Sequence, residues 1–104
     1  MQTRIIDHDP IQPTAIEHKC EDIYDGDMLE QKYSYLVYHF ESDGAYFWAR
    51  TYLDDVSIVS LHGPFESRTE LRPTDAPLSG HVLTYLRRRF RTIQVLQKGG
   101  YVSI

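Results

Sequence analysis

The sequence has few cysteines and no long apolar segment, the features that mark disulfide-rich, membrane-spanning and secreted proteins. Its 104 residues include a single cysteine, Cys20, which excludes an internal disulfide and suits a reducing compartment. No apolar run approaches the roughly 20 residues that a membrane-spanning helix requires, and the N-terminal residues show no apolar segment typical of a signal peptide. These absences predict a soluble, cytoplasmic protein that does not enter a membrane.

Motifs for catalysis and metal binding are also scarce. The chain contains no GxSxG, Walker or Rossmann pattern and no CxxC or HxxxH pair of metal ligands. His18 and Cys20 are two residues apart and would share one face of a strand, but this spacing alone does not define a catalytic dyad. We therefore expect no metal, no cofactor and no catalytic residue. An enzyme or metal protein that uses His18 and Cys20 is the least favoured interpretation.

Charge is distributed unevenly along the chain. The net charge is −4, but residues 1–55 carry four Lys/Arg against twelve Asp/Glu, and residues 56–104 carry seven against three. Such a separation can mark an acidic and a basic face, although two halves that interleave in one sheet would neutralise each other. The overall acidity favours a protein over nucleic acid as the main partner.

The composition, 41% hydrophobic and 25% charged, predicts a single globular domain with one modest core. Residues 1–14 contain two prolines and are predicted to form an irregular N-terminal arm, and residues 15–104 the domain itself. A first strand is predicted over residues 14–24, before a turn at Asp25-Gly26. A short helix over residues 28–32 is the alternative for the segment that follows.

The strongest pattern is a predicted β-hairpin between Tyr33 and Leu53, which contains eight of the thirteen aromatic residues. A two-residue turn at Asp43-Gly44 would pair Ser42 with Ala45. One face is then predicted as core: Leu36, Tyr38, Phe40, Phe47, Ala49 and Leu53. The opposite face, called the aromatic face below, consists of Tyr33, Tyr35, His39, Tyr46, Trp48, Arg50 and Tyr52.

The C-terminal half predicts a strand over residues 56–61 that ends at Gly63-Pro64, a loop over residues 65–77, a helix that begins after Ser79, and strands over residues 92–96 and 101–104. The helical stripe Val82, Leu86, Phe90 and Ile93 would pack on Leu36, Phe40, Phe47 and Leu53. The predicted fold is therefore α+β, a two-layer domain with an antiparallel meander sheet of about four to five strands and one helix on one face.

Two surfaces suggest functions of different classes. The aromatic face predicts a non-catalytic interaction module that binds a protein partner or a second copy of the chain, because Trp, Tyr and Arg are enriched at interface hot spots. Alternatively, the arm and the 65–77 loop would cover that face, or a ligand or single-stranded nucleic acid would stack on it, with Arg50 beside Trp48. The second surface would bind nucleic acid or a phosphate ligand through Arg87, Arg88, Arg89, Arg91 and Lys98; a solvated helix end is its structural alternative.

Overall fold

The computed structural model describes residues 9–74, 77–97 and 100–104, and it places six strands in one sheet. The strands lie side by side in chain order. The elements are β1 (Ala15–Asp25), β2 (Met28–Ser42), β3 (Ala45–Tyr52), β4 (Ile58–Phe65), α1 (Gly80–Arg87), β5 (Thr92–Gln97) and β6 (Gly100–Ser103).

The predicted α+β class is confirmed, but the predicted number of strands is wrong, because the sheet has six rather than four to five. The sheet also departs from a pure antiparallel meander at one position. β4 and β5 are parallel, since α1 carries the chain back along the sheet between them, as a parallel connection requires.

The predicted register of the central hairpin is confirmed. Ser42 pairs with Ala45, and the pairs continue through His39 with Trp48 to Tyr35 with Tyr52. The two turn residues between the strands, Asp43 and Gly44, both have positive φ (55° and 78°), the conformation that two-residue hairpin turns favour. The turn therefore fixes which side chains belong to each face of the sheet.

β1 and β2 extend beyond the rest of the sheet as a two-stranded ribbon, residues 20–34. β3 pairs with β2 only as far as Tyr35, so the ribbon has no third strand. The alternative helix over residues 28–32 is wrong, because β2 already begins at Met28. The turn is also one residue later than predicted, since Asp25 pairs with Met28. Four exposed apolar side chains lie near the ribbon tip: Ile23, Tyr24, Met28 and Leu29.

The hydrophobic core lies between the sheet and α1. Its largest fully buried side chains include Phe40, Phe47, Leu61 and Leu86. Leu53, predicted as core, is 43% exposed, because it lies in the turn after β3 and the eight-residue helix spans only about 12 Å. Leu36, also predicted as core, is only partly buried.

The predicted N-cap of the helix is confirmed. Ser79 Oγ accepts a hydrogen bond from the Val82 backbone N–H and lies 2.8 Å from Ser42 Oγ, which ties the start of α1 to the end of β2. The helix is shorter than the apolar stripe indicated: Phe90 and Ile93 follow its last residue, Arg87, yet both are buried in the same core.

Gly63 does not end β4 as predicted; the strand continues through it to Phe65. Its φ of +121° lies in a region that only glycine adopts readily. A Cβ at this position would lie 2.8 Å from the Tyr46 backbone oxygen. The register of β3 against β4 shifts beside it, between Tyr46 and Trp48. Gly63 thus permits the close approach of β4 to the strand that carries the aromatic face.

We expect Gly63→Ala to lower the free energy of unfolding by about 2–4 kcal/mol, because it combines an unfavourable φ with a backbone clash. Gly26→Ala is the matched control: its φ is also positive (66°), but a Cβ there meets nothing within 4 Å. Gly26→Ala should lower the free energy of unfolding by only about 1–2 kcal/mol. Urea unfolding measures both, and equal losses would contradict the role assigned to Gly63.

Candidate functional site

The aromatic face surrounds an open cavity of about 420 Å³. β2 and β3 form its floor, β1 forms one wall, and the loop between β4 and α1 forms another. The lining residues are Glu17, Lys19, Tyr35, Val37, His39, Tyr46, Trp48, Arg50, Arg68 and Leu71.

Five of the seven residues predicted for the aromatic face line this cavity, and the other two, Tyr33 and Tyr52, do not. The rings of Tyr33 and Tyr52 lie next to each other, with centroids 5.9 Å apart, and Tyr52 also contacts Tyr35 edge-on. Since alternate residues of a strand point to the same side of a sheet, the confirmed hairpin register brings these side chains together.

Three side chains that were predicted to be accessible are largely buried: Tyr35 and His39 are each 7% exposed, and Tyr46 is 3% exposed. Tyr35 donates a hydrogen bond from its hydroxyl to Glu21 on β1, at 2.8 Å. These residues therefore form the base of the cavity, whereas Trp48 and Arg50 are partly exposed.

A chain of hydrogen bonds holds three strands together under the cavity. Glu17 on β1 accepts from His39 Nε2 at 2.5 Å, and Tyr46 Oη lies 2.5 Å from His39 Nδ1. Because a carboxylate only accepts, His39 Nε2 carries the hydrogen, and in the neutral ring Nδ1 accepts from the tyrosine hydroxyl. The bond from His39 lowers the pKa of Glu17, and burial raises the pKa of Tyr46. Tyr46 therefore keeps its hydroxyl proton, and its bond to His39 braces the site.

Arg50 is the most unusual cation of the cavity. Its guanidinium carbon lies 5.7 Å from the ring centroids of Tyr35 and Trp48 and 5.3 Å from that of Tyr52. Its Nε is buried and has no hydrogen-bond partner within residues 9–74, 77–97 and 100–104. Arg68, across the cavity, is paired instead with Glu17 at 3.5 Å.

The sequence prediction missed His62, on which Trp48 stacks. The two rings are nearly parallel, at 8°, with centroids 3.8 Å apart. His62 Nε2 also lies 3.2 Å from the Tyr101 hydroxyl, so the aromatic surface continues across β4 towards β6. Burial of the His62 ring, with a smaller effect of the Arg50 charge, lowers its pKa to about 4. The predicted end of β4 before Gly63 concealed this pairing.

The predicted basic patch is partly neutralised by the chain itself. Asp9 pairs with Arg88 Nη1 at 3.2 Å and with Arg89 Nη2 at 2.8 Å. The hydrogen bond from Arg89 is the main cause that lowers the pKa of Asp9 to about 2. Arg87 and Arg91 are exposed. The fifth predicted residue, Lys98, lies outside the described residues.

His18 and Cys20 share a face of β1, as their spacing indicated. The Cys20 Sγ lies 3.8 Å from His18 Nε2, which itself lies 2.6 Å from Ser34 Oγ. Both side chains are exposed. Over the part of the chain that the structure describes, no three or more His, Cys, Asp or Glu side chains are placed to hold a metal ion, and no helix there is both long and apolar enough to cross a membrane.

The chain has no significant match among protein-family models, curated proteins or solved structures.

The low pKa of His62 predicts an acid-sensitive contribution to stability. The unfolded chain binds a proton at this histidine near pH 6.5, whereas the folded protein does so only near pH 4. The free energy of unfolding should therefore fall as the pH is lowered from 6.5 to 4, and this group should cause no further fall below that. In His62→Phe, which keeps an aromatic ring beside Trp48, the dependence on pH in this range should be weaker.

Urea unfolding of both proteins at several pH values between 4 and 7 measures the difference, and the other titrating groups cancel in the comparison. An NMR titration of the His62 ring gives its pKa directly. Equal pH dependence in the two proteins, or a ring that titrates near 6.5, would contradict the prediction.

Proposed function

We propose that this protein is a non-catalytic interaction domain that binds a protein partner through the aromatic face. The observation that carries the proposal is the cavity of about 420 Å³, in which Trp48 and Arg50 are partly exposed above a buried base. Large aromatic rings and arginine are the side chains that most often dominate binding energy at protein interfaces. A concave site also lets a protruding group of a partner become desolvated.

The charge of the cavity supports a different protein over a second copy as the partner. Lys19, Arg50 and Arg68 line it together with one acid, Glu17, so it is positive in a chain whose net charge is −4. A two-fold dimer centred on the cavity would place the same positive groups against each other. An acidic partner surface meets no such repulsion.

The N-terminal arm, as far as it is described, lies away from this face. Ile11 packs against the core beneath α1, and Asp9 is bound to the arginines at the helix end. The loop between β4 and α1 adds Arg68 and Leu71 to the cavity wall and leaves the cavity open. These contacts support a face that is available to a partner.

The ionisable groups at the cavity suit binding better than catalysis. Burial holds Tyr46 protonated, and Glu17 is engaged by both His39 and Arg68. A nucleophile needs a lowered pKa or a free adjacent base, and neither of these groups offers one. This favours the interaction domain over the enzyme hypothesis.

Photo-cross-linking in the cells that produce the protein tests the proposal. A photo-reactive amino acid at Leu71, which is exposed on the cavity wall, should cross-link one defined partner. The same amino acid at His81, exposed on the helix that covers the opposite side of the sheet, should not. Mass spectrometry identifies the partner, and an adduct of a second 12.2 kDa chain would indicate self-association instead.

Trp48→Ala provides the specific control. Because Trp48 is only partly buried, this variant should stay folded by circular dichroism and should lose most of the cross-link from Leu71. Equal cross-linking from Leu71 and His81, or cross-linking unaffected by Trp48→Ala, would contradict the proposal. Unfolding of Trp48→Ala would show that this side chain belongs to the core.

Binding of nucleic acid or a phosphate ligand at the helix end is the alternative function, and Asp9 weakens its support by occupying Arg88 and Arg89. If it holds, binding of a short single-stranded DNA should fall steeply with salt and be lost in the double variant Arg87→Glu, Arg91→Glu. Affinity retained in that variant would exclude this surface.

A further inference from the structure

We infer that the cavity is a carboxylate-binding site in which Arg50 anchors the charged group and the neighbouring rings hold an apolar group attached to it. The inference rests on the proposed function, since it names the chemical group that the protein partner would insert. The ligand class is an organic anion, such as an acidic side chain or a chain terminus beside an apolar residue.

Arg50 lies in an environment that differs from that of the ion-paired arginines. Four other arginines of the described residues, Arg68, Arg72, Arg88 and Arg89, form ion pairs with acids. Arg50 contacts three aromatic rings instead, and its buried Nε lacks an acceptor within the described ranges. Because buried donors are nearly always satisfied in native proteins, this guanidinium is short of acceptors. Its Nε is too buried for a ligand to reach, but Arg50 is partly exposed and lines the cavity, so a bound anion would supply acceptors to the outer guanidinium nitrogens.

The position of Arg50 makes such a bond strong. The guanidinium lies among rings that restrict its side chain, so little conformational freedom remains to be lost on binding. Lys19 and Arg68 add positive charge to the same cavity, and the one acid, Glu17, is already engaged by His39 and Arg68. The site therefore attracts an anion before contact as well as in the complex.

A carboxylate fits this arrangement better than a phosphate. Phosphate carries close to two charges at neutral pH and is usually held by several converging cations. Here Arg68 is paired with Glu17 and Lys19 is exposed, which leaves Arg50 as the partly buried cation of the cavity without an acidic partner in the described chain. One guanidinium matches one singly charged carboxylate.

The walls of the cavity determine which chemical group of the ligand can lie next to its carboxylate. Trp48 presents ring surface beside Arg50, and Leu71 adds exposed aliphatic surface, above a floor that includes the largely buried Tyr35 and Val37. An aromatic or aliphatic group next to the carboxylate would displace water from these surfaces, which favours binding. A bare acetate ion would gain only the charge interaction.

Trp48 makes the inference directly testable, because it is the only tryptophan of the chain and it lines the cavity. Its fluorescence, excited where tyrosine does not absorb, reports occupancy in the unmodified protein. The probes are phenylacetate and phenylacetamide, which differ in charge but hardly in size. Phenylacetate should bind about tenfold more tightly, the effect expected of one charge-assisted hydrogen-bonded pair at a partly exposed site.

Two variants show which residue causes the preference for phenylacetate over phenylacetamide. Arg50→Gln should abolish this preference, leaving both probes with similar affinity. Arg87→Gln, a change on the far side of the molecule, should leave the preference intact. Phenyl phosphate tests which class of anion the site prefers. If it bound more tightly than phenylacetate, the assignment to carboxylates would be overturned. Equal affinity for acid and amide in the wild-type protein, or no response to either, would overturn the inference altogether.

The outcome separates this inference from the proposed function. If acid and amide bind equally, the anchor role of Arg50 is excluded, while cross-linking from Leu71 can still establish the aromatic face as an interface. If phenylacetate is preferred but no protein cross-links from Leu71, the site accepts a carboxylate from a small molecule, and the protein-partner proposal fails instead.

Discussion

The pairing of β2 with β3 is the constraint on which the rest of the molecule depends. These two strands carry large side chains on both faces. Along each strand, successive side chains point alternately into the hydrophobic core under α1 and towards the cavity on the other side. A slip of one residue would exchange the two faces completely. The two-residue turn at Asp43-Gly44 prevents this slip, and the bond between Ser42 and Ser79 then sets the start of the helix against the same hairpin.

Local rules explain the parts of the fold that the sequence could predict. The turn chemistry of Asp43-Gly44 defined the register, and Ser79 identified the helix start, because each needs only neighbouring residues. The features that the sequence did not predict depend on residues that are distant along the chain. Glu17 reaches the cavity only through the register of β1 on β2. His62 comes beside Trp48 only through the pairing of β3 with β4, which runs on to Phe65 across a glycine and a proline that normally end a strand.

The two faces of the sheet are stabilised in different ways. The helix side is a packed apolar core, in which Phe40 and Phe47 are almost completely buried. The other side has no layer of secondary structure over it among the described residues, and polar bonds replace that layer: Glu17 to His39, His39 to Tyr46, and Tyr35 to Glu21. Such bonds contribute less free energy than apolar burial, but they fix ring orientation. This accounts for a cavity with defined walls on the face that α1 leaves uncovered.

The ribbon at the far end of β1 has a consequence for the behaviour of the protein in concentrated solution. β1 is an edge strand, and its unpaired backbone groups could template pairing with the edge of another copy. Residues 20–31 carry five acids and no Lys or Arg, so two such edges repel each other electrostatically where their exposed apolar side chains would otherwise favour contact. β1 therefore serves both ends of the molecule: its first half supplies Glu17 and Lys19 to the cavity wall, and its second half supplies Glu21, Asp22 and Asp25, three of the acids that oppose pairing with another copy.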